Sequence, residues 1–406
     1  MSQAPLRVAV AGAGAFGKNH LRVYRELETA GGATYGTSVA LVAAVEPDEA
    51  RAAETAAKYS IPVFPSVDKL LAAGLHLDAA TVAVPTVHHH AVASQLLDAG
   101  LDLLVEKPLA ASLAEADDLI RRAAKGKRIL QPGHLERFNP AVLAIQPQLR
   151  RPMFFEAHRL SVFTPRSLDV DVVLDLMIHD LDIVLAFAAS PVRDVRAVGL
   201  PILSPKVDIS NVRVEFESGC VANFTASRVS TERVRKLRFF EPRQYVSIDY
   251  ARQDLLVIRV DAGASKSSPS DLLASLPPQV SAMLPQGIAE GIASGKIDLA
   301  KIDPALIAHF AAMAKIDSGQ ITKLIAHFAS PAESKAGLSF SKPPVTPGEP
   351  LRLEILSFLE SVQTRRSPRV TAQQGRDALA LALEIQSSMA AHAKRAGLEN
   401  FFNPGA

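Results

Sequence analysis

Two short stretches of the chain hold side chains able to move protons. In Asp175-Leu176-Met177-Ile178-His179 an acid and an imidazole stand four residues apart on an apolar helical pattern, hence on one helix face. An imidazole titrates near neutral pH, and a neighbouring carboxylate can orient it, so the pair suits general acid–base work. A capping or salt-bridging pair is the structural alternative. The second stretch, Glu106-Lys107-Pro108, follows the buried run Leu101–Val105. A charged turn would explain it too, yet a lysine immediately after a buried strand needs a partner for its ammonium. His88, His89 and His90 stand consecutively near a helix start, where adjacent side chains point in different directions. They suit one functional histidine better than a metal site, and with the only cysteine being Cys220 no metal site is expected.

The strongest local signal is Gly12-Ala13-Gly14-Ala15-Phe16-Gly17, between a strand pattern and a helix pattern. In that setting Gly12 permits a tight turn, Gly14 lets the backbone approach a pyrophosphate, and Gly17 lets the helix pack on the strand. Phe16 lies within the same loop, and the N–H groups and dipole at the helix start favour phosphate charge. Glu46, ending the next apolar run, is placed to accept the hydroxyls of an adenosine ribose and to repel a 2′-phosphate. Pro47 and Asp48 follow it, with no arginine immediately after, so NAD is expected rather than NADP. Pro85, Thr86 and His89, with Glu106 and Lys107, lie past the carboxyl ends of further strand patterns, the edge where open α/β sheets bind ligands.

The elements that position these residues read as two regions. To about residue 130, short apolar runs (Leu6–Ala11, Val39–Val45, Ala79–Val84, Leu101–Val105) alternate with helical patterns, which predicts a doubly wound parallel sheet of the Rossmann type. Gly31–Ser38 reads as a loop insertion. From 131 to 406 the chain reads as an α+β region with a large open, mainly antiparallel sheet. Its strand patterns run between Phe154 and Val260, interrupted by one helix over about Val172–Ala188, and a hairpin is expected at Glu217–Cys220. An Ala-, Lys- and Pro-rich segment at about 263–345 reads as a partly helical insertion, and amphipathic helices are expected over 351–396. The 406 residues carry a net charge of +2, too small and scattered for a nucleic-acid partner, and no apolar run is long enough to span a membrane. A single cysteine and no secretory leader favour a cytoplasmic protein.

The ordered set Gly12-x-Gly14-x-x-Gly17-x-x-His20, Pro85-Thr86-x-x-His89, Glu106-Lys107-Pro108, Arg137-Phe138-Asn139-Pro140 and Asp175-x-x-x-His179 resembles the Gfo/Idh/MocA oxidoreductases over about residues 5–260 and again over 348–396. The resemblance implies a nicotinamide-dependent enzyme whose second domain carries substrate on one face of its sheet and often assembles homo-oligomers, dimer or tetramer, through the other. It places catalysis on Lys107, Asp175 and His179: His179 takes the hydroxyl proton, Asp175 orients it, and Lys107 holds developing alkoxide charge or relays the proton. The stretches Arg166–Asp182 and Arg238–Tyr250 look like members acting on nucleotide-linked amino sugars. That implies oxidation of the 3-hydroxyl of UDP-N-acetylglucosamine, a step toward the amino sugar of lipid A. Arg137, Asn139 and Arg166 are then substrate-binding candidates, with Arg159 a further guanidinium suited to a diphosphate, and a surface or structural role accounts equally well for any one of these arginines. A dehydrogenase of a free polyol or sugar, and a non-catalytic nucleotide-responsive regulator, are the alternatives.

Overall fold

The computed structural model describes residues 4–164, 170–260 and 338–398. Two compact units result, the first taking in Met1–Pro242, Val246–Leu255 and Lys342–Ala406, the second Arg243–Tyr245 and Leu256–Ser341. Most of the 263–345 segment, and Arg166, lie outside the described residues.

In the first unit, β1 (Leu6–Ala11), β2 (Val39–Val45), β3 (Val63–Phe64), β4 (Ala79–Val82), β5 (Asp102–Glu106) and β6 (Leu130–Gly133) form one sheet in the order β3-β2-β1-β4-β5-β6. Every pairing in it is parallel. The strand order reverses between β1 and β4, so the loops after β1, β4 and β5 open into a crevice at the sheet's carboxyl edge. Around the sheet stand α1 (Gly17–Ala30), α3 (Glu49–Tyr59), α4 (Val67–Ala72), α5 (His89–Asp98) and α6 (Leu113–Gly126), while α2 (Gly32–Tyr35) is a single turn inside the stretch read as a loop. Asp48 and Ser112 cap α3 and α6 by accepting from Arg51 N–H and Glu115 N–H, as short polar side chains do at helix starts. β3 and β6 escape a pattern reading because one has two residues and the other contains Pro132 and Gly133.

The second sheet contains β7 (Phe154–Leu160), β8 (Val192–Leu200), β9 (Ile209–Phe216), β10 (Val221–Ser227), β11 (Val234–Glu241), β12 (Gln244–Asp249) and β13 (Asp254–Val260). Its pairings are antiparallel for β8–β9, β9–β10 and β7–β11, but β7 and β10 run parallel. Burial alternates along β7 and β10, the pattern of a sheet with one packed face. The expected hairpin joins β9 to β10, with Gly219 at φ +81 in the left-handed region. In the second unit, β14 (Leu338–Ser341) pairs antiparallel with the outer half of β13.

Between the sheets the chain forms α7 (Pro140–Ile145), a π-helical turn at Val173–Met177 and then α8 (Ile178–Ala188). The C-terminal helices are α9 (Pro350–Thr364) and α10 (Ala372–Arg395). α9 buries Leu351, Ile355, Phe358, Leu359 and Val362 in the same core as Val8, Val10, Leu21 and Leu27. Burying five such side chains contributes on the order of 8–15 kcal/mol, so α9 is part of the first sheet's packing. α10 contributes Leu379 to the core on the other side, with Leu96, Leu103 and Leu119. Among the described residues no helix is long and apolar enough to cross a membrane.

Candidate active site

The glycine loop has the geometry a dinucleotide needs. Gly12 has φ +96, and a Cβ there would lie 2.7 Å from the Ala83 carbonyl oxygen. A Cβ on Gly17 would lie 1.9 Å from the Gly12 carbonyl oxygen, so the turn from β1 into α1 closes only with glycine at that point. Gly14, by contrast, has nothing within 4 Å and leaves open space above the loop. No side chain caps α1 and no acid sits in its first turn, so its amide dipoles meet no competing anion. Phe16, at the start of α1, is partly exposed beside this space and packs edge-on against His20.

Glu46 ends β2 beside the loop. Its Oε2 accepts from Ala13 N–H at 2.9 Å, and its Oε1 accepts from Asp48 N–H and Arg51, each at 3.0 Å. Burial alone would raise its pKa, but these bonds outweigh burial and hold it below the usual carboxylate range. An ionised acid thus stands at the ribose position, with a guanidinium five residues on that the local sequence pattern does not advertise. These features fit NAD.

Pro85 and Thr86 begin a short 3-10 turn after β4. His89 is buried behind it, Nδ1 2.8 Å from Pro108 O and Nε2 2.9 Å from Val84 O. Burial lowers its pKa, so the ring is neutral and donates to one of these carbonyls. Both ring nitrogens face the main chain, and His89 braces the β4 and β5 loops instead of reaching toward a ligand. Glu106 is likewise engaged. Its Oε1 lies 2.8 Å from His20 Nε2, its Oε2 accepts from Lys107 N–H at 3.3 Å, and Gly133 leaves the room for its carboxyl, since a Cβ there would sit 2.9 Å from Glu106 Cδ.

Lys107 crosses to the π-helical turn before α8. Its Nζ donates to Asp175 O at 2.6 Å and Leu174 O at 3.3 Å, and lies 4.0 Å from Asp175 Oδ1. Burial lowers its pKa, while Asp175 and Glu106 pull the other way. His179, on the first turn of α8, is partly exposed with its pKa pushed well below the usual imidazole range by burial and then by the charges of Lys107 and Arg159. It is therefore neutral at neutral pH, as a proton acceptor must be. The expected Asp175–His179 contact is replaced by the one to Lys107, and His179 Nδ1 has no partner. The wider π turn, covering Val173–Met177, breaks the four-residue α repeat on which that expectation rested.

The arginines divide differently from the sequence expectation. Arg159, 4% exposed, makes two bonds to Asp180 (2.7 and 3.0 Å), one to Glu136 (3.0 Å) and stacks over Tyr250. Its donors serve a buried ion cluster, leaving no fork for a diphosphate. Asn139 caps α7 through Ala141 N–H and donates to Glu136 and Tyr250 O, so its amide is also committed. Arg137 is buried against Asp182. Apart from Ala141 and Glu136, which lie within three residues of Asn139, these partners are distant in sequence, and a regular pattern carries no mark of them. Among the described residues no group of three His, Cys, Asp or Glu side chains is arranged to hold a metal.

Two family models match the chain: an oxidoreductase family NAD-binding Rossmann fold over residues 6–134, and a GFO/IDH/MocA C-terminal domain over 142–243. A UDP-N-acetylglucosamine 3-dehydrogenase of Acidithiobacillus ferrooxidans is 37% identical over 265 residues, 65% of this chain and 80% of that protein. An inositol 2-dehydrogenase of Saccharopolyspora erythraea is 30% identical over 191 residues, 44% of this chain and 53% of that one. The solved structure of UDP-N-acetylglucosamine 3-dehydrogenase GnnA from Acidithiobacillus ferrooxidans superposes with TM-score 0.72 at 28% identity, covering 99% of this chain and all of the other.

Proposed function

This chain belongs to the Gfo/Idh/MocA family of NAD-binding oxidoreductases, and from that premise we propose that it oxidises the 3-hydroxyl of UDP-N-acetylglucosamine to the 3-keto sugar. The observation carrying this reading is the meeting of Lys107 with the π turn that bears Asp175 and leads into His179. NAD supplies the hydride acceptor, and the chain's own groups handle the proton and the charge. Neutral His179 takes the hydroxyl proton. Lys107, held by two carbonyls, presents a positive charge to the oxygen as negative charge develops. Asp175 acts through Lys107, as a counter-charge fixing where the ammonium lies.

In this reading the glycine loop cradles the pyrophosphate and Glu46 takes the ribose hydroxyls, with NAD preferred to NADP. The region to about residue 130 holds the cofactor, and 131–406 carries the sugar site and assembles a cytoplasmic homo-oligomer. Identity to the Acidithiobacillus ferrooxidans enzyme over most of its length supports the nucleotide sugar. The inositol dehydrogenase matches, over about half of each chain, favour a free polyol as the second reading.

The deciding assay follows NADH absorbance with UDP-N-acetylglucosamine, UDP-glucose, myo-inositol and glucose in turn. An aminotransferase and amino donor are added to remove any 3-keto product. Turnover confined to UDP-N-acetylglucosamine is expected. Reduction of NAD by myo-inositol, with none by the nucleotide sugar, overturns the substrate and leaves the family membership standing.

A further inference from the structure

Behind Lys107 and His179 lies a group of buried polar atoms that this mechanism does not use. His134, just after β6, is 1% exposed, and neither ring nitrogen has a partner. Asp182 stands three residues after His179 on α8 and is 2% exposed. Its Oδ1 accepts from Arg137 at 3.3 Å, while its Oδ2 has no partner and faces His134 Nδ1 at 4.0 Å. His179 Nδ1, Gln131 Oε1 and both carboxyl oxygens of Glu354 on α9 are also without partners. Each unpaired buried group costs about 1–3 kcal/mol, so this many are tolerated only with internal water among them. Such waters make about three hydrogen bonds each, and the cluster offers donors and acceptors in that number.

The cluster runs from the catalytic base to the outside. At one end, His179 and Asp182 stand three residues apart on α8 and so share a helix face, with His134 Nδ1 opposite Asp182. At the other, Arg137 and Asp182 line a cleft of about 480 Å³ whose walls include Leu185 of α8 and Asp377 and Glu384 of α10. Asp182 thus touches both the buried cluster and the cleft.

We propose that His134 and Asp182 form a rear exit for the substrate's proton, from His179 to the cleft between α8 and α10. The inference rests on His179 being the base. The hydroxyl O–H bond breaks, the hydride leaves for the nicotinamide and the proton goes to His179. His179 releases a proton from Nδ1 through water to His134, which passes one on to Asp182 Oδ2 and so to solvent. One proton leaves per NADH formed, and each imidazole, left in its other tautomer, turns its ring to reset before the next cycle. His134 and Asp182 never meet the substrate and act only through His179.

The test separates hydride transfer from proton release. Wild type, His134→Phe and His134→Gln are mixed with NAD and UDP-N-acetylglucosamine in weak buffer, following NADH absorbance and a pH-indicator dye in a single turnover. In wild type the two signals coincide. In both variants NADH formation stays within about threefold, while proton release lags at least tenfold. Coincident signals in the variants overturn the path, and so does a parallel fall of both in His134→Gln, the mark of a purely structural residue. An arm without cofactor uses nitrogen-labelled histidine and magnetic resonance. There Asp182→Asn moves the His134 titration downward and leaves His20 unchanged; an unmoved His134 sinks the contact. A wild type that forms no NADH from any sugar offered refutes the substrate reading instead, and the resonance arm then decides the path by itself.

Discussion

Replacing Lys107 with methionine should leave a protein at least as stable as wild type and slower by orders of magnitude. Lys107 is mostly but not fully buried, its side chain 17% exposed, and two charge-assisted bonds to carbonyls, each about 1.5–3 kcal/mol, oppose the desolvation of its ammonium. Burial depresses its pKa against the pull of Asp175 and Glu106, so on this balance of charges the ammonium is expected to cost the folded state. A lowered folded-state pKa means the unfolded chain binds the extra proton between that pKa and the ordinary lysine value of 10.5, so stability rises with pH through that window. Methionine, similar in length, removes the charge and the penalty. The stability gain is therefore largest near neutrality and shrinks as pH climbs toward 10.5. Activity moves the other way. Losing the cation opposite a developing alkoxide costs about 10²–10³-fold in turnover, or about 2.7–4 kcal/mol of barrier. NADH absorbance gives turnover, urea denaturation followed by circular dichroism gives stability, and calorimetry checks that NAD still binds. Turnover within threefold of wild type removes Lys107 from the reacting centre. A stability loss above about 1 kcal/mol alongside slow turnover means that the carbonyl bonds outweigh the desolvation of the ammonium, the reverse of the expected balance.

Four further outcomes are expected. Arg159→Met strands Asp180 and Glu136 and should cost about 3–5 kcal/mol in urea denaturation; unchanged stability with a tenfold higher KM for the nucleotide sugar returns Arg159 to the diphosphate. Because the His179 pKa lies well below the usual imidazole value of 6.5, the acid limb of the kcat profile should fall below that pH, and a limb above it contradicts the neutral base. Glu46→Ser should weaken NAD and improve NADP, with Arg51 then free to meet a 2′-phosphate; an unchanged preference in cofactor titrations removes Glu46 from the ribose. Gly17→Ala puts a methyl group on the Gly12 carbonyl and should abolish NAD binding or lower stability by several kcal/mol, whereas normal calorimetry and denaturation would show that the loop yields.

Much of this protein is legible in one dimension. The glycine loop, the alternation of apolar runs with helices, and the hairpin at Gly219 are local features, because steric limits on φ and the burial period of a strand act between neighbouring residues. Glu46 and Lys107 stand at strand ends for the same reason, and their places could be named from the chain alone. What each long polar side chain touches is a different matter. His89 meets the carbonyl of Pro108, Arg159 the carboxylate of Asp180, Asn139 the carbonyl of Tyr250, and α9 covers the core of β1. Those partners lie 19, 21 and 111 positions away, and in the case of α9 more than three hundred. A buried donor takes whichever acceptor folding brings within 3 Å or so, and that choice belongs to packing. Even the Asp175–His179 pair shows the division: the four-residue spacing was written in the chain, but one π turn, made where Lys107 reaches the backbone, gave Asp175 to the lysine and left His179 Nδ1 without a partner.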